Sequence, residues 1–404
     1  MEFKLKINGS ESKNAEFVGW TPVKCTLTIN GYTGDTPMPV TITPEHINKS
    51  GRLDLYLDNS PNSSPIKKIE HDFQSVIDLT FYIAGRYNHP SVAEKDTYIL
   101  VKHNFDKVPE LKKDMMVRVR KNANKLEQKE MTMFLEAFVR LNTQKTKKEY
   151  QGNYSNEPKK LLGEIVLMHT YDAIWEIHQR TSFHPWHRIF NMHLERELQA
   201  IKPYVTIPYW KFDVKAERVF TASFIGETEK TNNTSSIESK KPIFNKMNPM
   251  ANYIENTAWG TLNRAYRQRN PASQDTFGRR NGNRDVLTEE DIVYKGPDTF
   301  EQWSTFEEGR SHNSAHNIFT GDVADAGKDP IDPLFFMMHS NVDRLWAKWQ
   351  HNNNRFDGSQ NETYPNQGKY QGKRGEEWIE KWKQNATQDE LDFFNAAGFI
   401  QQTN

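Results

Sequence analysis

Nine of the thirteen histidines in this 404-residue chain fall into two short stretches, five between positions 169 and 193 and four between 312 and 351. Imidazole is a general base, a proton shuttle and the commonest protein ligand for metals, so the spacing inside each stretch carries chemical meaning. His312 and His316 are four residues apart, which sets both rings on one face of a helix, about one turn from each other. Asn313-Ser314-Ala315 lie between them, so the His-Glu-x-x-His of a zinc protease and its general base are absent. His339 is the third candidate beside this pair, at the start of another helical pattern in Asp332-Pro333-Leu334-Phe335-Phe336-Met337-Met338-His339. In the earlier stretch His178 and His187 flank Gln-Arg-Thr-Ser-Phe-His-Pro-Trp, and His169 precedes them, following Ile165, Val166 and Leu167.

Two triads of neutral imidazole, with no cysteine or carboxylate interposed, suit a helical bundle that holds a pair of metals between facing helices. Three nitrogens per ion leave an open position for a reactant. Imidazole suits zinc, copper, iron and nickel, and copper(II) is the tightest binder in the divalent series. Di-iron and di-manganese bundles use Glu-x-x-His pairs, which these positions lack. Copper is therefore the metal favoured on chemistry alone. The single cysteine, Cys25, excludes an intramolecular disulfide, a cysteine zinc site and an iron–sulfur cluster.

The elements that must position these residues change character along the chain. Lys24 to Ile29 and Arg52 to Leu57 alternate apolar and polar residues with the period of a strand, and turn clusters such as Asn30-Gly31 bound them. Val40 to Ile42, Asp78 to Ile83 and Thr97 to Val101 add strand candidates, with Cys25 expected as a strand core residue. From about Met115 to Leu141 the period becomes helical, and it returns over Leu161–Ile177, Arg188–Ile201, Phe300–Ile318 and Phe335–Gln350. Polar stretches at 226–250 and 267–284 read as exposed loops. The expected architecture is a β-sandwich-like domain over 1–110, then a mainly α catalytic domain over 111–355, a four-helix bundle holding the metal pair. A polar linker with short helices, around Glu376 to Lys383 and Gln388 to Phe394, follows over 356–404.

Charge narrows the partners. With 53 Lys+Arg against 53 Asp+Glu the formal net charge is zero, so no broad basic face for nucleic acid and no polybasic membrane anchor is expected. No apolar run reaches the ~18 residues of a membrane span, and the N-terminus lacks a signal-peptide core, so a cytoplasmic protein is expected.

At these residues the chain resembles the type-3 copper proteins, the group of tyrosinases, catechol oxidases and haemocyanins. Phe183-His184-Pro185-Trp186-His187-Arg188 is similar to that family's Phe-Leu-Pro-Trp-His-Arg, and Asp332 through Gln350, with Asn341-Val342-Asp343-Arg344-Leu345-Trp346, resembles its copper-B signature. The resemblance covers about 115–350. It implies one copper held by His169, His178 and His187, a second held by His312, His316 and His339, and dioxygen as co-substrate. His184, His193 and His351 fall outside this ligand set. The family's cysteine–histidine link is not expected, because Cys25 lies far away in sequence.

The implied activity is o-hydroxylation of small monophenols to catechols and oxidation of catechols to o-quinones. A phenol has a pKa near ~10, so hydroxylation at neutral pH needs a positioned base. In tyrosinases that base is a water held by a glutamate and by the asparagine after the first copper-B histidine. Glu308 and Asn313 match those two positions, with Glu307 as the competing carboxylate; the contrary reading makes Glu307 and Glu308 a solvated pair. Asn317, after His316, is expected at the substrate entrance, and Met338 near its mouth, where relatives often carry a second histidine. The alternatives are a catechol or o-aminophenol oxidase without monophenolase activity, a haemocyanin-like oxygen binder and, more distantly, a zinc hydrolase. For the region 1–110 a structural or oligomerisation module is favoured over a cap on the site. No oligomeric state follows from the sequence.

Overall fold

The computed structural model describes residues 1–363, apart from 12–15, 33–35, 48–50, 61–62, 74–77, 106–107, 146–159, 171–176, 229–239, 258–259, 267–285, 356–359 and 361. The expected helices after 375 and the whole of the expected loop at 267–284 lie outside the described residues. Two compact units result, Met1–Lys121 with Lys202–Thr206, and Asn122–Ile201 with Ile207–Asn404.

The first unit is β-rich. Strand β1 (Glu2–Ile7) pairs antiparallel with β3 (Val23–Asn30) in a register that sets Phe3 opposite Ile29, Leu5 opposite Leu27 and Ile7 opposite Cys25. A period of two therefore sends every apolar residue of both strands to one face. β5 (Leu53–Tyr56) and β7 (Leu79–Gly85) complete a four-stranded sheet in the order β1-β3-β7-β5. β2 (Glu16–Val18), β4 (Met38–His46), β6 (Ile69–Phe73), β8 (Thr97–His103) and β9 (Leu111–Val117) form a five-stranded sheet in the order β2-β9-β8-β4-β6. Buried residues of both sheets share one apolar cluster that includes Leu5, Cys25, Leu27, Val40, Ile42, Phe81, Ile83 and Val101. Cys25 is fully buried there, and burial pushes its thiol pKa far up, so it is an inert core residue.

β9 corrects one expectation. Met115 and Met116 belong to this strand and not to a helix, because Leu111–Met115 pairs with Thr97–Val101 and pairing overrides a weak helical pattern. The first unit accordingly continues to Lys121, past the division expected after residue 110.

In the second unit two of the long helices begin where the sequence supplies caps. Gln128–Leu141 starts at a capping box of Glu127 and Glu130, whose carboxylate accepts the Glu127 amide at 2.7 Å. Pro333–Asn352 starts with Asp332, which accepts the Leu334 amide at 3.0 Å, and with proline at the first helical position. The same Asp332 carboxylate binds Arg264 at 2.7 and 2.8 Å, with both side chains fully buried. Phe183–Ile201 packs against Pro333–Asn352. Helix Phe300–Glu307 runs into a wide π turn, Glu308–His312, and then a last turn, Asn313–His316. Phe319–Gly321 pairs with Arg264–Tyr266; a side chain at Gly321, at φ +84°, would meet the Asn263 carbonyl at 2.3 Å, so only glycine fits. No described helix is long and apolar enough to cross a membrane.

Candidate metal centre

Two groups of three histidines converge, His169/His178/His187 and His312/His316/His339, with the ligand atoms of each group within 4.8 Å of one another. His169 ends helix Leu161–Met168, His187 lies in the first turns of Phe183–Ile201, and His339 lies two turns into Pro333–Asn352. The groups adjoin: the His187 and His339 rings stack at 4.1 Å and 10°, and His178 faces His312 at 6.3 Å. Phe183 packs on His312 and Phe335 on His339, at 4.7 and 4.3 Å between centroids, lining the rings with apolar surface.

The outer nitrogens fix the tautomers. His169 Nδ1 lies 3.0 Å from the Ala326 carbonyl and His187 Nδ1 lies 2.8 Å from the Phe183 carbonyl. A carbonyl only accepts, so each Nδ1 carries the proton and each Nε2 presents a lone pair. Those Nε2 atoms are 3.4 Å apart. In the second group His316 Nδ1 donates to the Val323 carbonyl and His312 Nδ1 to Asn313 Oδ1 at 3.0 Å, leaving their Nε2 lone pairs 3.0 Å apart. His339 Nε2 approaches His312 Nε2 at 3.1 Å. Facing lone pairs repel, and a cation between them turns repulsion into ligation. The donor set fits a metal in each group, and three imidazole nitrogens suit copper.

Burial keeps the rings neutral and ready to ligate. It lowers the His169 pKa to about 3 and holds His187, His312 and His339 well below the usual imidazole range. His316 is also lowered by burial, although the Asp329 carboxylate nearby opposes the shift.

The two neighbouring glutamates are both buried, which overturns the solvated-pair reading. Glu308 Oε1 accepts the backbone N–H of Gln179 at 2.6 Å, and burial pushes its carboxyl up to about 7. Gln179 adopts φ +58°, a left-handed conformation that is uncommon for a residue other than glycine, next to His178. Glu307 instead meets His184 Nε2 at 2.9 Å, and His184 Nδ1 meets Ser304 Oγ at 2.9 Å. His184 is thus engaged outside both triads, and so are His193 and the exposed His351.

Asn313 lies beside the second triad through its bond to His312, and Asn317 is exposed. Met338 differs from expectation: it is fully buried in a helix that packs on all sides here, so it belongs to the core and not to a mouth. Sequence reasoning missed Asp329, whose carboxylate oxygens lie 3.2 Å from His169 Nδ1 and 4.0 Å from His316 Nδ1. It also missed the Gln179 amide and the His184–Glu307 pair, which no motif spacing signals.

Residues 159–352 match the family model of the common central domain of tyrosinase. A tyrosinase of Streptomyces lincolnensis is 25% identical over 203 residues, which is 46% of this chain and 69% of that protein. Hemocyanin 2 of Megathura crenulata is 27% identical over 243 residues, 57% of this chain but 6% of that protein. Among solved structures, a polyphenol oxidase of Thermothelomyces thermophila aligns with a TM-score of 0.43 and 20% identity over 58% of this chain and 70% of its own.

Proposed function

The chain belongs to the type-3 copper family through residues 159–352, and on that premise we propose that it oxidises small phenols with dioxygen, hydroxylating monophenols to catechols and oxidising catechols to o-quinones. His169, His178 and His187 hold one copper; His312, His316 and His339 hold the other. When bound, the copper pair supplies two-electron redox chemistry with dioxygen. The observation that carries the reading is the convergence of six imidazoles as two adjoining triads, in each of which two lone pairs face each other.

The chain's own residues supply the proton chemistry. A monophenol must lose its hydroxyl proton at neutral pH, and Glu308, with its carboxyl near 7, is the acceptor. The Gln179 amide anchors Oε1, and among the described residues Oε2 accepts no hydrogen bond, so Oε2 takes the phenolic proton directly or through a water. Asn313 presents Oδ1 to His312, which leaves its amide N–H groups to hold that water. Phe183 and Phe335 exclude bulk water from the rings. Asn317, exposed after His316, lines the entrance for the phenol.

The same reading takes the triad-bearing helices as a four-helix bundle and the first unit as a β-sandwich; the shared apolar cluster of the two sheets supports the second point. The β-rich unit is then a structural or oligomerisation module of a cytoplasmic enzyme.

Oxygen uptake by copper-reconstituted protein, with copper assayed at two per chain, tests the function across monophenols, catechols and o-aminophenols. Consumption of catechol with no consumption of a monophenol, even when primed with catechol, leaves a catechol oxidase and refutes the hydroxylase. Preference for o-aminophenols makes it an o-aminophenol oxidase. The haemocyanin match favours a second reading, oxygen binding without turnover; reversible oxygenation with every substrate untouched would establish it.

A further inference from the structure

One segment contacts the outer side of both triads. After the glycine turn at Gly321, the chain is pinned by Asp322, which accepts the Asn263 amide at 2.6 Å and returns its own amide to the Asn263 carbonyl at 2.9 Å. Within the next seven residues, Val323 offers its carbonyl to His316 Nδ1, Ala326 its carbonyl to His169 Nδ1, and Gly327 its carbonyl to Thr170 Oγ1 at 2.7 Å. Asp329 then places one carboxylate against the same two rings, 3.2 Å from His169 Nδ1 and 4.0 Å from His316 Nδ1.

That carboxylate is costly where it stands. Asp329 is 2% exposed, and its Oδ1 accepts no hydrogen bond among the described residues, because the His169 Nδ1 proton already goes to Ala326. A buried carboxylate oxygen with no donor is strongly unfavourable unless a positive charge compensates it. The rings it touches belong to different triads and are otherwise neutral. Each becomes positively polarised when a cation sits on its Nε2, and the Nδ1 face then presents that polarisation to Asp329. Outer carboxylates commonly orient metal-bound histidines in this way and raise their basicity.

We infer that Asp329 is a positioning residue shared by the two metals, a single buried counter-charge that raises the affinity of both triads. The inference rests on the copper reading of the site and deepens it: one side chain couples the two ions. It also assigns a role to the segment Val323–Asp329, which holds His169 and His316 at fixed spacing from behind.

The test is copper(I) affinity, measured by competition with a chromophoric chelator. Asp329→Asn keeps the shape and removes the charge; Asp329→Ser removes it with a smaller side chain, should the first variant misfold. Each is also placed in backgrounds with one triad disabled, His187→Ala or His312→Ala, so that each site is read alone. The expected result is a loss of about 10–100-fold at each site, with the melting temperature of the metal-free protein unchanged or raised. Exposed Glu290→Gln, outside that segment, serves as the control and leaves both affinities at wild-type values. A loss at one site alone refutes the sharing. Unchanged affinity at both, or a loss matched by lower metal-free stability, refutes the counter-charge role altogether. Failure of the wild type to take up two coppers is a different outcome, which overturns the copper reading itself.

Discussion

Replacing Glu308 with glutamine separates its role as a base from any role in packing, because the two predict opposite signs. The substitution keeps the shape and keeps an oxygen for the Gln179 amide, which now lies 2.6 Å from Oε1. Moving a proton from a phenol of pKa ~10 to a carboxylate at about 7 is uphill by ~4 kcal/mol, against ~7.5 kcal/mol for an ordinary glutamate at 4.5. Burial therefore brings the acceptor ~3.4 kcal/mol closer to its task. Glu308→Gln should lower kcat/KM for a monophenol by about 10²–10⁴-fold, the usual worth of a positioned base, and change catechol oxidation by less than about tenfold. In the wild type, monophenol kcat/KM should fall about tenfold per pH unit below its midpoint. That midpoint lies at or below 7, since copper charge favours the ionised carboxylate. The metal-free protein gives the second sign. A carboxyl raised on folding is stabilising below its unfolded value near 4.5, and that contribution is lost as pH rises through about 7. Glu308→Gln should thus make the metal-free protein more stable at pH 8, by up to ~3 kcal/mol in urea unfolding. Equal loss of both activities, or a less stable variant at pH 8, would refute the assignment.

Three further outcomes follow from contacts elsewhere in the second unit. His187→Ala or His312→Ala should reduce bound copper from two per chain to about one and abolish oxygen uptake, as read by metal analysis and an oxygen electrode; full loading of either variant would remove that histidine from the ligand set. Burial keeps both His184 and Glu307 neutral, so His184→Leu, which deprives Glu307 of its partner at 2.9 Å, should cost about 1–3 kcal/mol in urea unfolding, largely restored by adding Glu307→Leu; a cost under ~0.5 kcal/mol would mean that the pair is not coupled. Arg264→Met leaves Asp332 charged and buried at the start of the helix carrying His339, so it should cost about 3–5 kcal/mol and weaken copper binding; an unchanged melting curve would contradict this.

What the sequence made legible is local. His312 and His316 share a face because four residues span about one helical turn, and the long motifs around His187 and His339 marked the other histidines of the two converging groups through their order along the chain. Strands such as Val23–Asn30 were readable for the same reason, since alternation is a property of neighbours. β9 was not, because Met115 takes its conformation from pairing with β8 and β2, and Met116 from pairing with β2. The groups behind the metal centre were hidden for a similar cause. His184 and Glu307 are 123 residues apart, and nothing in either local pattern announces the other. Met338 misled for the opposite reason, since family position suggested a mouth while the packing of Pro333–Asn352 buries it completely.

Glu307 and Glu308 show how far adjacent residues of one type can diverge. Both are buried, and burial raises both carboxyls. Glu307 ends an α-helix and turns to His184, within a fully buried pair backed by Ser304. Glu308 opens the π turn that carries His312, and its partner is the strained Gln179 beside His178. The change of helical pitch falls between them, so consecutive side chains leave the helix toward different environments. One carboxyl is locked in a structural pair, and the other, among the described residues, is tied by one backbone amide and accepts no bond at its second oxygen. On the proposed reading of the site, two carboxyls whose surroundings diverge in this way take separate tasks, structure for Glu307 and proton transfer for Glu308. The division is set by the turn and its contacts, not by the residue type, so restoring a regular α-helical turn by deleting one residue between Glu308 and His312 should disable the base and the second triad together.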